Sequence, residues 1–428
     1  MIPSFHFVFG SALRLLGGAL FLGGTAAMAG SHADLPPVSE EAHTTAWERL
    51  NAWNIGGVLF PRLDIVGVGG WTDGEARALA TGEHDPSRQA FSAQAIEPAV
   101  SLRTERVDGF ANAILFQDAG GDWEAEWEEA FLKFRGPAGL ELKGGQYLGH
   151  YGITNRQHLH SWDYVDADLA STRFLGGHGL LLRGANLDWT LPTRSLVFSA
   201  VASLGYADST AGHSHGHNHH HGHGSHEGED LWLEDGIWTA RLAGRYRATD
   251  FHQFTGGVSL ATGDNGFHRS TDVYGVDLEY LWRERGLEPG GRALRWRNEV
   301  MFRRAYLEDD HGHGHHEHGH HGHGHHGHGH GDSHHGDRVS DWGMASSVIY
   351  TWNEQWDTGM RFEYVDGTGR AGLGERWRVS PVATWFPLPD RRLGLRVQYN
   401  LDDLDHGGTA HSVWFQVRLT LGSLNEVR

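Results

Sequence analysis

The chain contains no cysteine. That absence excludes a disulfide-stapled secreted fold, a thiolate zinc finger and a cysteine nucleophile, so any metal site must be built from imidazole and carboxylate. Basic residues are scarce as well: 35 Lys+Arg stand against 54 Asp+Glu, for a formal charge of -19. Phosphate backbones demand a basic footprint, so nucleic acid is excluded as a partner class. No internal apolar run approaches the roughly 20 residues of a membrane-spanning helix. What the 428 residues do hold is 61 Gly, 17 Trp and 34 His. Such a length ordinarily indicates two or three domains, a relation that a single large barrel breaks.

Residues 1–29 read as an export signal. Arg14 precedes a short apolar core at 15–22, and Ala27-Met28-Ala29 supplies the small-x-small pattern of a cleavage site. An uncleaved anchor is the weaker reading, because that apolar core is too short to span. Residues 30–54 then form a short periplasmic segment, with Trp47, Leu50 and Trp53 spaced for a turn or two of helix.

The remainder alternates in twos. Trp238, Ala240, Leu242, Gly244 and Tyr246 share one face, and Thr239, Arg241, Ala243, Arg245 and Arg247 share the other. The same holds for Val413, Phe415, Val417, Leu419 and Leu421 against Trp414, Gln416, Arg418 and Thr420. Period-2 alternation means strands with one apolar face. Aromatics recur at the ends of the apolar faces, charges sit in the middle of the polar ones, and the segments run about ten residues, the length of a tilted bilayer-crossing strand. A closed barrel alone satisfies every strand's backbone in lipid.

Counting gives sixteen strands, an even number as bacterial single-chain barrels require, with eighteen as the upper bound. The first eight are 55–68, 93–105, 108–118, 124–135, 140–151, 179–191, 195–207 and 236–248. The second eight are 251–263, 270–283, 292–307, 340–353, 356–366, 375–387, 391–402 and 410–421. The expected fold class is therefore all-β: a transmembrane antiparallel barrel over 55–421 with a tail at 422–428, in contact with outer-membrane lipid. Short turn-like connections alternate with longer ones at 69–92, 152–178, 208–235, 308–339 and 367–374, which places the long set on the extracellular side.

Two of those loops carry histidine tracts. The first holds His213, His215, His217, His219, His220, His221, His223 and His226. The second holds His311, His313, His315, His316, His318, His320, His321, His323, His325, His326, His328, His330, His334 and His335. Together they account for 22 of the 34 histidines. Neither tract is terminal, and Gly, Asn and Glu interrupt them, which argues against an expression tag. Imidazole suits zinc, copper and nickel. Interleaved glycine lets a loop wrap until three or four nitrogens converge on one ion, so each tract reads as a disordered multivalent chelator. Zn2+ is the expected ion, transported or loosely bound, with Ni2+ and Cu2+ as alternatives. Neutral imidazole is the ligand, so metal should be released as pH falls through the histidine range.

Glu128-Glu129-Ala130-Phe131-Leu132-Lys133-Phe134-Arg135, a turn, and then Leu140-Glu141-Leu142-Lys143-Gly144-Gly145-Gln146-Tyr147-Leu148-Gly149-His150-Tyr151-Gly152 resemble the phosphate-selective porin O/P superfamily. The continuation Asn155-Arg156-Gln157-His158-Leu159-His160-Ser161-Trp162-Asp163-Tyr164-Val165-Asp166 is similar to a His-rich, zinc-associated branch of such barrels. The resemblance implies a channel of sixteen to eighteen strands with the loop after the Gln146 strand folded inward as a constriction. Porins often trimerise, so it also carries the expectation of a homotrimer. A plugged 22-stranded receptor does not fit, because 30–54 is too short for a plug. The loop contributes His158, His160, Asp163, Asp166, Asp168 and His178, with His150 just before it. These residues read either as a transit site for a divalent cation or as hydrogen-bonding anchors that pin the loop.

Three functions compete. One is an outer-membrane channel that captures and passes divalent metal, zinc above all. The second is a general or anion-selective porin whose His loops only buffer or sequester metal. The third is a hydrolase, resting on nothing more than Ser161 beside His160, without a strand-borne Ser/His/acid set. The expectation is a channel and not an enzyme.

Overall fold

The computed structural model describes residues 46–193, 195–207, 229–307, 338–405 and 407–423. The export signal and both histidine tracts lie outside the described residues. Sixteen strands close into one antiparallel barrel, each pairing with its neighbours in the chain. They are β1 Leu59–Thr72, β2 Ser92–Arg103, β3 Val107–Gln117, β4 Trp123–Arg135, β5 Leu140–Leu148, β6 Leu181–Pro192, β7 Leu196–Ala207 and β8 Leu233–Arg247. The circuit continues with β9 His252–Asn265, β10 Ser270–Arg283, β11 Ala293–Tyr306, β12 Arg338–Thr351, β13 Trp356–Val365, β14 Arg376–Trp385, β15 Leu393–Leu404 and β16 Gly408–Gly422. β1 pairs with β16 and closes it. Among the described residues three short α-helices accompany the strands: α1 Ala46–Asn51, α2 Ala76–Leu79 and α3 Leu169–Leu175.

Every expected strand is present, with shifted ends where glycine intervenes. β1 begins at Leu59 because Gly56 and Gly57 adopt positive φ (62 and 70) and turn the chain first. β8 begins at Leu233, but its register to β9 shifts around Asp235 and Gly236 has φ 58, so clean alternation starts only after it. β16 extends to Gly422, taking one residue from the expected tail. Loop length separates the two ends of the barrel less cleanly than the sequence suggests. At the long-loop end 118–122, 266–269 and 405–407 are short, while 284–292 is the long member of the turn end.

The outward face is what lipid requires. Trp238 is 61% exposed, Val276 58% and Phe415 59%, values that a water-soluble wall would not tolerate around its whole circumference. Exposed aromatics gather in two belts: Trp71, Trp123, Tyr206, Trp238 and Trp342 at the long-loop end, and Trp189, Tyr246, Trp296, Trp352 and Trp385 at the turn end. Aliphatic residues such as Leu242, Val258 and Val300 fill the band between. Among the described residues no helix is long and apolar enough to cross a membrane; the strands do so. Val276→Arg, in the middle of β10, is expected to cost about 2–4 kcal/mol of folding free energy in lipid. A folding titration in liposomes measures it, and a neutral outcome would contradict a lipid-facing Val276.

The lumen is not uniformly wet. Phe110, Phe131, Tyr147, Met301 and Val365 point inward from the wall and pack with Tyr151 of the following loop and with Leu169, Phe174 and Leu175 of α3. Residues 149–180 therefore fold into the barrel as a plug with an apolar side of its own, α3 lying against β11, β12 and β13.

Candidate pore constriction

The inward loop is held by ion pairs that begin at an irregularity in β4. Asn112 pairs with Glu129 and Ala113 with Trp127, so Glu128 is an extra residue, a β-bulge. Strict alternation would send Glu128 and Glu129 to opposite faces; the bulge brings both carboxylates to His158. His158 Nδ1 lies 2.8 Å from Glu128, and Nε2 donates to Glu129 at 2.8 Å. Burial alone would neutralise this ring, but the two carboxylates hold its proton and raise its pKa well above the ordinary value. Glu129 also accepts the Leu148 amide at 2.7 Å, tying the wall to the start of the loop.

The other predicted residues are distributed around this clamp. His160 stacks on His158 with ring centroids 5.5 Å apart and bonds Glu97 through Nδ1, with Asp64 at 3.7 Å. Asp163 pairs with Arg295 and, at 3.4 Å, with Arg297. Asp166 binds Arg361 and Arg378 and accepts from Gln398 and Asn400, both at 2.8 Å. Burial opposes ionisation of Asp163 and Asp166, yet the guanidiniums beside each hold its carboxyl below the usual range. Asp168 caps α3, accepting the Ser171 amide at 2.7 Å. His150 is buried near Asp188 at 3.6 Å, and burial, reinforced by the Arg156, Lys143 and Arg241 charges, drives its pKa well down. Ser161 donates to the His158 carbonyl at 2.8 Å while His160 faces Glu97, so the adjacency does not form a Ser–His pair.

Two cavities flank the loop, and Trp162 and Asp163 border both. The one towards the long-loop end, about 110 Å³, is lined by Glu126, Glu128, Asp163, Asp166, Asp168 and Glu299 against Arg297 and Arg361. The one towards the turn end, about 320 Å³, is lined by Arg295, Arg391, Arg396 and Arg418 against Asp163 and Asp357. The lumen is thus acidic on one side of its partition and basic on the other.

His178, the last of the predicted set, stands apart from the ion pairs. It joins His84, from the loop after β1, and Glu126 of β4, and one ligand atom from each lies within 4.8 Å of the others. Burial, with His178 beside it, drives the His84 imidazole down to about 3, so its ring is neutral at neutral pH. The sequence reading missed His84 and Glu126. His84 is a lone loop histidine with no partner at ligand spacing, and Glu126 is one of several acids in an alternating strand. The inward phase of β4 was the only available signal.

No family model matches the chain. An uncharacterised protein of Aquifex aeolicus is 36% identical over 66 residues, 15% of this chain, and the chain spans only 14% of that relative's length. OprB of Pseudomonas putida superimposes with a TM-score of 0.53 at 10% identity, over 85% of this chain and 94% of that one. The anion-selective porin of Comamonas acidovorans gives 0.49 at 9% identity, covering 85% and 98%. The outer-membrane channel DcaP of Acinetobacter baumannii gives 0.49 at 10%, covering 87% and 100%. At these identities the likeness is one of fold. The chain is a sixteen-stranded outer-membrane barrel of porin-like channel architecture.

Proposed function

We propose that this barrel captures divalent metal ions, zinc foremost, at its outer face and passes them inward. The observation that carries the reading is the cavity at the long-loop end, with six carboxylates and two imidazoles against two guanidiniums. Glu128, Asp163 and Asp166 are already paired with His158 and with four arginines. The lining therefore favours a cation chiefly through the donors of Glu126, Asp168, His84 and His178. The tract-bearing loops are rooted together, Leu231, Ala305 and Val339 sharing one apolar cluster with Leu373. Trp232 beside Leu231 donates to the Arg173 carbonyl at 3.2 Å, next to Thr172 of the cavity lining. Metal held by the tract histidines would be released within reach of that cavity. Imidazole with carboxylate suits zinc, and copper is the competitor that general affinity order favours.

A second reading has its own support. The four arginines of the turn-end cavity form an anion-attracting vestibule, which suits a general or phosphate-selective porin with metal-buffering loops. Reversal potentials of single channels in a salt gradient separate the two. Cation preference, with zinc carrying current, is the expected result. Marked anion preference would overturn the metal reading and favour the second.

A further inference from the structure

We infer that His84, Glu126 and His178 form a three-ligand site for a zinc-type divalent cation at the outer side of the partition. The separations are those of ligands around an ion: His84 Nε2 lies 3.5 Å from Glu126 Oε1, and His178 Nε2 lies 3.7 Å from Glu126 Oε2. Both are too long for hydrogen bonds. Donors about 2.0–2.2 Å from a tetrahedral ion stand roughly 3.3–3.6 Å from one another, so a small closing movement completes the site. His84 is only 8% exposed, and the Glu126 Oε1 that faces its Nε2 is buried without a hydrogen-bond partner. Polar atoms left in that condition are costly unless something else satisfies them.

The frame around the ligands is fixed. The Glu83 amide donates to the Gly177 carbonyl at 3.1 Å, so the residues immediately before His84 and His178 are joined across two loops. Gln94 donates to the His84 carbonyl at 2.9 Å, and the Asp85 carboxylate accepts amides from both loops, Gly82 at 2.9 Å and Ala167 at 2.7 Å. Phe116 meets the His84 ring edge-on at 4.6 Å. Beyond His178, Gly179 has φ 70, and a Cβ there would lie 2.5 Å from Asn155 Oδ1, so the turn that presents His178 requires glycine.

Three protein ligands leave a tetrahedral ion one position for water, and all three residues border the acidic cavity. That is the arrangement of an exchangeable ion. The existence of the site stands on this geometry; its part in transit rests on the metal-channel reading above.

The test uses full-length chain whose 22 tract histidines are replaced by asparagine, which removes competing ligands. Equilibrium dialysis with zinc should find one ion per chain, and anomalous scattering from crystals soaked in zinc should place it between the three side chains. His84→Asn and, separately, the more exposed His178→Asn should each weaken binding about tenfold or more, with heat-modifiable gel mobility reporting an intact barrel. No stoichiometric ion, or one whose affinity is unchanged in both variants, would overturn the site. Reversal potentials on the same protein keep the two ideas apart. A bound ion with anion preference leaves the site standing and removes the channel reading, whereas zinc current with no bound ion does the reverse.

Discussion

Deleting residues 213–226 and 311–335 together should strip roughly 5–7 zinc ions from each chain while leaving the barrel folded. The magnitude follows from 22 histidines shared out three or four to a tetrahedral ion. The barrel should survive because each tract connects strands that are already hydrogen-bonded neighbours, β7 with β8 and β11 with β12. Short glycine-serine links can close both gaps at little entropic cost. Equilibrium dialysis reads the stoichiometry, and growth under zinc limitation reads its consequence. Equal growth of the deletion strain would remove the tracts from the uptake mechanism, whatever they bind in the tube.

Asp166→Ala should undo the partition. This carboxylate gathers Arg361 from β13, Arg378 from β14, and Gln398 and Asn400 from β15, and the Arg361 side chain also donates to the Asp166 carbonyl at 3.1 Å. Removing it takes one of two carboxylate partners from each buried guanidinium, Arg361 keeping Glu363 and Arg378 keeping Asp402, and the charge-assisted hydrogen bonds lost cost about 1–3 kcal/mol. The wall keeps its backbone ladder, so the cost falls on the docking of the loop. Single-channel conductance is expected to rise several-fold, and the acidic and basic cavities should merge. Asp168→Ala provides the scale for comparison: it removes the α3 cap, worth about 1 kcal/mol, and one carboxylate of the outer cavity without freeing the loop, and should change conductance far less. Equal conductance in Asp166→Ala and the parent would mean that this carboxylate does not hold the pore closed.

The sequence made the barrel legible because lipid imposes a period. Strand faces at Trp238 to Tyr246 and at Val413 to Leu421 had to alternate, and they do so in the structure. Where a local device interrupts the period, legibility stops. Gly236 displaces the start of β8, and the bulge at Glu128 places two successive acids on one face, which alternation forbids. The inward loop was legible through its motif, but the partners of its side chains were not. His158 finds Glu129 and Asp166 finds Arg378, contacts 29 and 212 residues apart in the chain that only the folding of the loop into the lumen creates. His84 was invisible for the same reason. A single histidine gains meaning from Glu126 and His178 only after two loops have been folded together.

The bulge in β4 also defines how the gene can change without damage. On either side of Glu128 the register to β3 is regular, Asn112 opposite Glu129 and Ala113 opposite Trp127. Loss of that one codon would therefore close the ladder without turning any other β4 side chain to the opposite face. Most single-residue deletions in a transmembrane strand invert half of it and expose charge to lipid. At this position the barrel is tolerant by construction. The casualties are local, one of the two acids that grip His158 together with its bonds from Asn112 and Gln146, so an in-frame deletion here is a graded genetic control on how firmly the inward loop is held.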